Sequence, residues 1–372
     1  MRGETNLMSG IESSTAAVVT LPGNYNYGNL LQKYAVQTLL KRRGICSVTL
    51  EFRDVSFGRK AKDFIRKNIQ HSYVDPEALM SRERVQRFGE FSRLIDIRIV
   101  TKAQEKTVGR YSWYFSGSDQ VWNPSYIDRF HSTFLPFAPT NKRIALSASF
   151  GVSSVPDSAR NMFEKGLKGF THISVREEDG AKIVKELIGK TPSVVCDPTL
   201  VLARKDWEKL ASDSLNPNRS FVFTYLLGKD TPWQETLLND VSHKWGTNGN
   251  PAPLIRISDR DDGKQVPAGP AEFLGLIASC KHVVTDSFHC ALFATMFEKP
   301  LTIVRRSGGS VSMFSRLETL TTMLGTKSKI LEEGGKLNFD DALNYEGVSD
   351  RVLESRANFN RFLNTSIGID CR

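Results

Sequence analysis

The chain has 372 residues, 40% hydrophobic and 24% charged, which excludes wholesale disorder and fibrous repeats and suits two domains better than one core. No run approaches the ~20 apolar residues of a membrane-spanning helix, and the only apolar run near the N-terminus, 16–21, reads as a strand rather than a secretory leader. A cytoplasmic protein is therefore expected. The net charge of +9 is uneven: residues 1–200 carry 29 Lys and Arg against 20 Asp and Glu, while 201–372 carry 21 of each.

In chain order, β-branched apolar runs predict strands over 16–21, 47–52, 111–115, 143–148, 171–175, 193–196, 221–226, 254–257, 282–285 and 301–304. Helical periodicity predicts helices over 29–43, 158–166, 180–187, 271–279 and 289–297. Strands alternating with helices imply largely parallel sheets in an α/β fold. Strand signals pause over 197–220, which places a domain boundary near residue 200. The expected division is 1–200, 201–345, and a C-terminal helix in 346–372 that packs back on the first domain. Within 41–67 stand nine basic residues (Lys41, Arg42, Arg43, Arg53, Arg59, Lys60, Lys62, Arg66, Lys67) against three acidic ones, interleaved with Phe52, Phe57, Phe64 and Ile65. Such a cluster suits an anionic membrane surface or a phosphorylated ligand, or is a solvated helical face. No zinc-finger spacing or RNP-like aromatic run accompanies it, so nucleic acid is not an expected partner. The five cysteines are scattered without a C-x-x-C pair, which reads as plain buried thiols in a reducing compartment.

Several motifs fail. Gly189-Lys190-Thr191 lacks the glycine a phosphate loop needs at 184, where Val184 stands, and the first βα turn, Pro22-Gly23-Asn24-Tyr25-Asn26-Tyr27-Gly28-Asn29, is not G-x-G-x-x-G. Neither a G-x-S-x-G elbow nor H-E-x-x-H occurs. What remains is a concentration of polar residues at the carboxyl ends of the predicted strands, where doubly wound sheets bind ligands. Asn26 and Asn29 follow the first strand; Ser118, Asp119, Gln120 and Trp122 follow the strand at 111–115; Ser149 and Gly151 follow 143–148; Arg176 follows 171–175; Ser287 and His289 follow 282–285. Each alone is an ordinary turn or cap residue. Together, a crevice with Arg176, His289 and free helix amides suits a small, multiply charged anion.

The segments Asn26-Tyr27-Gly28-Asn29-Leu30-Leu31-Gln32, Gly117-Ser118-Asp119-Gln120-Val121-Trp122-Asn123-Pro124, Ser147-Ala148-Ser149-Phe150-Gly151, Ser174-Val175-Arg176-Glu177, Cys196-Asp197-Pro198-Thr199 and Asp286-Ser287-Phe288-His289, in this order, resemble the polysaccharide pyruvyltransferase family. The resemblance implies two Rossmann-like domains in a GT-B arrangement with the site in the interdomain cleft. It also implies transfer of the enolpyruvyl unit of phosphoenolpyruvate to two sugar hydroxyls, giving a cyclic ketal and phosphate, with no metal or other cofactor. His289 is then the expected general acid. Arg176, Ser287, Arg316, Ser149 and Gly151 are the expected donor contacts, and Asn26, Asn29, Ser118, Asp119, Gln120 and Trp122 the cleft or acceptor residues. Some members carry a second arginine two positions before the histidine. Here that position is Ser287, so Arg316, with Arg305 and Arg306 behind it, is the expected substitute. The glycan acceptor is expected on a lipid diphosphate carrier, with peripheral contact to the membrane. A nucleotide-sugar glycosyltransferase would share the fold, and a non-catalytic glycan- or anion-binding protein is the third possibility.

Overall fold

The computed structural model describes residues 14–23, 25–53, 80–101, 104–105, 108–125, 131–257, 265–307 and 314–369. The first half contains β1 (Thr15–Val19), α1 (Tyr27–Lys41), β2 (Cys46–Arg53), α2 (Arg82–Ser92), β3 (Ile97–Thr101), β4 (Trp113–Ser116), β5 (Arg143–Ala148), α3 (Asp157–Lys168), β6 (His172–Val175), α4 (Glu178–Ile188) and β7 (Ser193–Val194). Two short helices follow, α5 (Pro198–Val201) and α6 (Arg204–Glu208). The second half contains β8 (Val222–Tyr225), α7 (Pro232–Lys244), β9 (Leu254–Ile257), α8 (Pro270–Ser279), β10 (His282–Thr285), α9 (Phe288–Met296), β11 (Leu301–Val304), α10 (Ser315–Leu324), β12 (Ile330–Leu331), α11 (Phe339–Leu343) and α12 (Val348–Ser366).

The strands form two all-parallel sheets, β3-β2-β1-β4-β5-β6-β7 and β12-β11-β10-β8-β9. Helices cover both faces of a parallel sheet, so its central strands read as unbroken apolar runs; Ala16 to Val19 are at most 1% exposed. Each order reverses once, at β1/β4 in the first sheet and β8/β10 in the second, and those switch points open crevices at the strand carboxyl ends. The predicted strands 143–148, 254–257, 282–285 and 301–304 coincide with β5, β9, β10 and β11. The run at 193–196 is shorter than expected: only Ser193 and Val194 pair, and Cys196 and Asp197 lead away into α5. The first sheet ends at Val194 and the second begins at Val222, on either side of residue 200.

The halves are joined by a shared apolar cluster. Tyr27, at the start of α1, stacks on Phe273 of α8 at 4.8 Å, meets Tyr225 of β8 at 5.5 Å and donates from its hydroxyl to Ala268 O at 2.8 Å. Trp207 of α6 sits between Tyr34 of α1 (5.8 Å) and Phe293 of α9 (5.0 Å). Aromatic pairs contribute about 0.5–1.5 kcal/mol each beyond their buried area, so this seam fixes the first turn of α1 against the second half. Helix α12 lies across the junction: Arg356 donates to Leu200 O and Leu202 O at 2.8 and 2.9 Å, and Arg43 of the first half donates to Asn364 Oδ1 and Asn360 Oδ1 at 2.8 and 2.7 Å.

Arg43 is thus spent on structure, and Arg42 pairs with Asp206 at 2.8 Å. Arg59, Lys60, Lys62, Arg66 and Lys67, with Phe57, Phe64 and Ile65, lie outside the described residues. Cys196, Cys280 and Cys290 are buried free thiols, whereas Cys46 is exposed. Burial pushes the Cys280 thiol up to about 12 and those of Cys196 and Cys290 higher still. Cys371 lies outside the described residues. Among the described residues no helix is long and apolar enough to cross a membrane.

Candidate active site between the domains

Asp197 is the centre of the arrangement. As N-cap of α5 it spends Oδ1 on the Thr199 amide at 3.0 Å and the Thr199 hydroxyl at 2.7 Å. Its other oxygen, Oδ2, accepts from Arg176 Nη1 at 2.6 Å and Ser118 Oγ at 2.7 Å, and lies 3.6 Å from His289 Nε2. Burial works to raise this carboxyl, but His289, Arg176 and the Thr199 amide outweigh it and hold it well below the usual carboxylate range. One buried carboxylate therefore gathers an arginine from the end of β6, a serine from the loop after β4 and a histidine from the second half.

The guanidinium of Arg176 is buried, lies 4.3 Å from the centre of the Phe288 ring and stands 3.6 Å from Asp119 Oδ1. Burial opposes its charge, yet Asp197, Asp119 and Glu177 together favour the cation. Arg176 forms no ion pair with its chain neighbours Glu177 and Asp179. Glu177 turns its Oε1 to the amides of Phe150 (2.7 Å) and Gly151 (3.2 Å), and Asp179 pairs with Lys182 at 2.9 Å. The neighbouring strand ends carry backbone strain: Asp119 at φ 78° and Ser147 at φ 55° are left-handed without being glycine. Each such residue costs about 1–3 kcal/mol, and such residues cluster at functional sites. Here Asp119 O accepts from the Ser149 amide at 3.0 Å, tying the β4 and β5 loops together.

From the second half, α9 presents its N-terminus, with Ser287 as the cap residue making no side-chain cap hydrogen bond, then Phe288 and His289. Arg316, in the first turn of α10, reaches across to the first half. Its Nη1 and Nη2 meet the Gln120 side-chain amide at 3.2 and 3.1 Å, with the Gln120 oxygen turned toward the guanidinium. Burial, with Arg176 nearby, lowers Arg316 to about 10. Arg305 and Arg306 do other work: Arg305 pairs with Glu332 at 2.7 Å and Glu318 at 3.4 Å, and Arg306 with Asp286 at 3.4 Å. Asp286 in turn accepts from the amides of Leu227 and Gly228 at 2.9 and 3.0 Å, so it anchors the β8 loop.

Four donor nitrogens in this cleft are buried without a hydrogen-bond partner: Nε and Nη2 of Arg176, Nε of Arg316 and Nε2 of His289. Leaving a buried donor unpaired costs about 1–3 kcal/mol, more when the group is charged, so such a concentration calls for an acceptor of matching chemistry. Two arginines, a histidine and the N-terminus of α9 make that acceptor an anion.

The sequence-level candidates divide. Arg176, His289, Arg316, Gln120, Asp119 and Ser118 are brought together. Ser287 adjoins them on α9, and Gly151 (φ 64°) packs against Gln120. Ser149 is fully buried with an unpaired Oγ. Asn26 is exposed and caps α1, accepting from the Asn29 amide at 2.9 Å, while Asn29 Nδ2 donates to Leu21 O at 3.1 Å. Trp122 does not line the cleft. It is 0% exposed and packs among Phe134, Phe150 and Phe170 at 5.4–5.9 Å, because the turn after Asp119 swings the ring into the core.

Asp197, Phe288 and Gly28 stand in the family segments without an expected role, and the structure puts all three against the site residues. A Cβ built on Gly28 would sit 2.0 Å from His289 Nδ1, so the first turn of α1 is pressed against the imidazole. Gly28→Ala is expected to displace His289 and lower kcat by about 10- to 100-fold, the scale of a 1 Å misplacement. Overpacking costs about 1–3 kcal/mol, of which alanine's better helix propensity returns up to about 1, so the thermal midpoint should fall only modestly. Wild-type kcat in Gly28→Ala would show that the imidazole moves without consequence.

Comparisons with known proteins bear on the family and the fold. A profile of the family described as polysaccharide pyruvyl transferase matches residues 26–308. No curated protein sequence matches the chain. Among solved structures, MnaA from S. aureus, determined with UDP, aligns over 96% of this chain and 98% of its own at 10% identity and a TM-score of 0.50. The UDP-GlcNAc 2-epimerase of Neisseria meningitidis, bound to UDP-GlcNAc, covers 96% of each chain at 12% identity and a TM-score of 0.45. The fold is accordingly a pair of Rossmann-like α/β domains in the GT-B arrangement.

Proposed function

The chain belongs to the polysaccharide pyruvyl transferase family, and we propose that its donor is phosphoenolpyruvate, whose enolpyruvyl unit it moves onto two hydroxyls of one sugar in a glycan. The observation that carries this reading is the set of buried nitrogens without a hydrogen bond on Arg176, Arg316 and His289. Phosphoenolpyruvate brings a carboxylate and a phosphate on adjacent atoms, and two guanidiniums from opposite domains suit that doubly anionic shape. Arg316 takes the place of the arginine that some relatives carry where this chain has Ser287.

In the proposed reaction, protonated His289 delivers a proton to the methylene carbon. One sugar hydroxyl adds to the neighbouring carbon and gives up its proton. The bond from that carbon to the phosphate oxygen then breaks, and the second hydroxyl closes the ketal as its proton leaves with phosphate. Two hydroxyl protons are lost in all; one is balanced by the new methyl group and the other is carried by the phosphate. The transfer is redox-neutral, and the reading includes no cofactor beyond the donor substrate.

Incubating the protein with phosphoenolpyruvate and candidate glycans should release phosphate and add the mass of one ketal. Sugar transfer from a nucleotide sugar with release of a nucleoside diphosphate, or neither phosphate release nor a ketal mass gain with phosphoenolpyruvate, would overturn the reading. Arg176→Lys and Arg316→Gln should each weaken apparent donor affinity by about 10- to 100-fold, the loss of a charge-assisted contact of about 1.5–3 kcal/mol. Wild-type donor affinity in both variants would make these arginines structural. The same reading places the acceptor on a lipid diphosphate at an anionic membrane face. Each basic residue near such a surface contributes about 1 kcal/mol. Sedimentation with anionic vesicles should therefore show salt-sensitive binding that is lost when Arg59, Lys60, Lys62, Arg66 and Lys67 become Gln. Wild-type protein that ignores such vesicles at low salt removes the membrane from the reading.

A further inference from the structure

The edge of the first sheet carries a groove that the reaction does not use. Its largest part is a cavity of about 750 Å³ between the β6–β7 end of the sheet and α12. It shares Val194, Val195 and Asn358 with a second cavity of about 230 Å³, which shares Val194, Thr322 and Met323 with a third of about 420 Å³. The third is lined by Glu178 and Ser315, two positions after Arg176 and one before Arg316. The three cavities thus follow one another along β7, from the amino end of β6 to Glu178 and Ser315, next to Arg176 and Arg316 in the chain. From Thr171 to Arg176 is five strand steps, about 17 Å at ~3.3 Å per residue, longer than a single sugar unit needs.

Its chemistry changes along its length. The active-site end carries Glu178, Asp179 and Glu318 beside Lys182. The far cavity is lined by His172, Lys190 and Arg361, with no Asp or Glu among its described lining residues. Thr191, Ser193 and Thr365 add hydroxyls, and half-buried Phe362 adds an apolar ring. β7 is the last strand of the sheet, so its outer backbone groups are open to partners in the groove. Convergent polar groups around an apolar ring suit a sugar, and unopposed cations suit a carboxylate.

We propose that this groove is an extended acceptor subsite that seats a carboxylate-bearing sugar unit of the same glycan chain, remote from the unit being modified. The inference rests on the pyruvyl transfer reading, because it takes the polymer to be the acceptor. A ketal installed on an earlier repeat supplies such a carboxylate, so the enzyme should favour chains that it has already modified.

The test is calorimetric titration of the full chain with three probes: a pyruvylated oligosaccharide spanning at least two repeats, the same oligosaccharide after acid removal of its ketal, and inorganic phosphate at matched ionic strength. Wild-type protein should bind the acidic oligosaccharide at least 10-fold more tightly than the neutral one. Lys190→Gln/Arg361→Gln should lose that preference while keeping its thermal midpoint and its turnover on a short neutral acceptor. Equal preference in wild type and double variant overturns the proposal. So does phosphate that at equal concentration displaces the acidic oligosaccharide from wild type but not from Lys190→Gln/Arg361→Gln, which would make the groove a general anion site. Binding is read without turnover, so the two readings fail separately: no phosphate release with any acceptor removes pyruvyl transfer, while a lost binding preference removes the subsite alone.

Discussion

Asp197→Ala is expected to destabilise the protein by about 3–5 kcal/mol, because it removes the partner of a buried guanidinium and leaves Arg176 uncompensated. That is a large share of the ~5–15 kcal/mol by which domains are stable, so part of the variant will be unfolded at ambient temperature. Asp197→Asn separates the charge from the shape. It retains an oxygen to cap α5 at the Thr199 amide, but an amide N–H replaces Oδ2, so the charge facing Arg176 and His289 and the acceptor for Arg176 and Ser118 are lost together. It should fold, at a cost of about 1.5–3 kcal/mol, the worth of a hydrogen bond to a charged group. The pH dependence follows from the depressed native carboxyl. Its contribution is fully present above the ordinary aspartate range and is lost as pH falls below it, where the unfolded chain takes up a proton that the folded one refuses. The stability gap between wild type and Asp197→Asn should therefore narrow as the pH is lowered from 5 toward 3. Urea unfolding across that range checks both points. A gap that stays constant, or an alanine variant within 1 kcal/mol of wild type, would mean that Arg176 finds its compensation elsewhere.

Why the sequence shows some of this and hides the rest is a matter of how local each signal is. Strands such as β5 and β10 are buried almost throughout, so small and apolar residues dominate them, Ile144 to Leu146 in one and Val283-Val284 in the other, and their ends are sharp. β3, Ile97-Arg98-Ile99-Val100-Thr101, lies at the sheet edge with two exposed residues in five, and its pattern is too mixed to stand out. α2 is hidden for a similar reason, since charged residues outnumber its buried aromatics Phe88 and Phe91. In the site, Arg176 and His289 are legible because a strand end in a doubly wound sheet is itself a positional prediction. Asp197 is not, because Asp before Pro198 and Thr199 reads as a helix cap. It is indeed a cap, but only through one oxygen; the other serves residues far away in the chain. Gly28 reads as an ordinary turn residue, since its meaning lies in the imidazole pressed against it from the other domain. Trp122 shows the opposite error: a polar turn suggests exposure, and only the three-dimensional path of that turn puts the ring in the core.

His289→Ala should lower kcat by about 10²–10⁴-fold, the usual contribution of a positioned acid–base group, with little change in donor affinity. The split is the informative part. Arg176 and Arg316 supply the fixed charges for the donor, so a histidine that only helped to bind the anion would raise the apparent donor constant and spare kcat. One that supplies the proton would do the reverse. The fold should survive at a modest cost, because His289 sits at the cleft wall and Arg176, Ser118 and Thr199 still hold Asp197 when its 3.6 Å contact with His289 is gone. Its neighbours are specific enough to make the loss of kcat severe: Gly28 on one side, Asp197 3.6 Å from Nε2, and the Phe288 ring edge-on at 5.1 Å. A water entering the space left by alanine would lack all three constraints. Turnover in deuterated water gives an independent readout. If the new methyl hydrogen comes from an exchangeable imidazole, the wild-type ketal gains one deuteron and kcat shows a solvent isotope effect. In His289→Ala the residual product should still be deuterated, at a rate set by solvent. A variant that retains near wild-type kcat would assign the proton to another group.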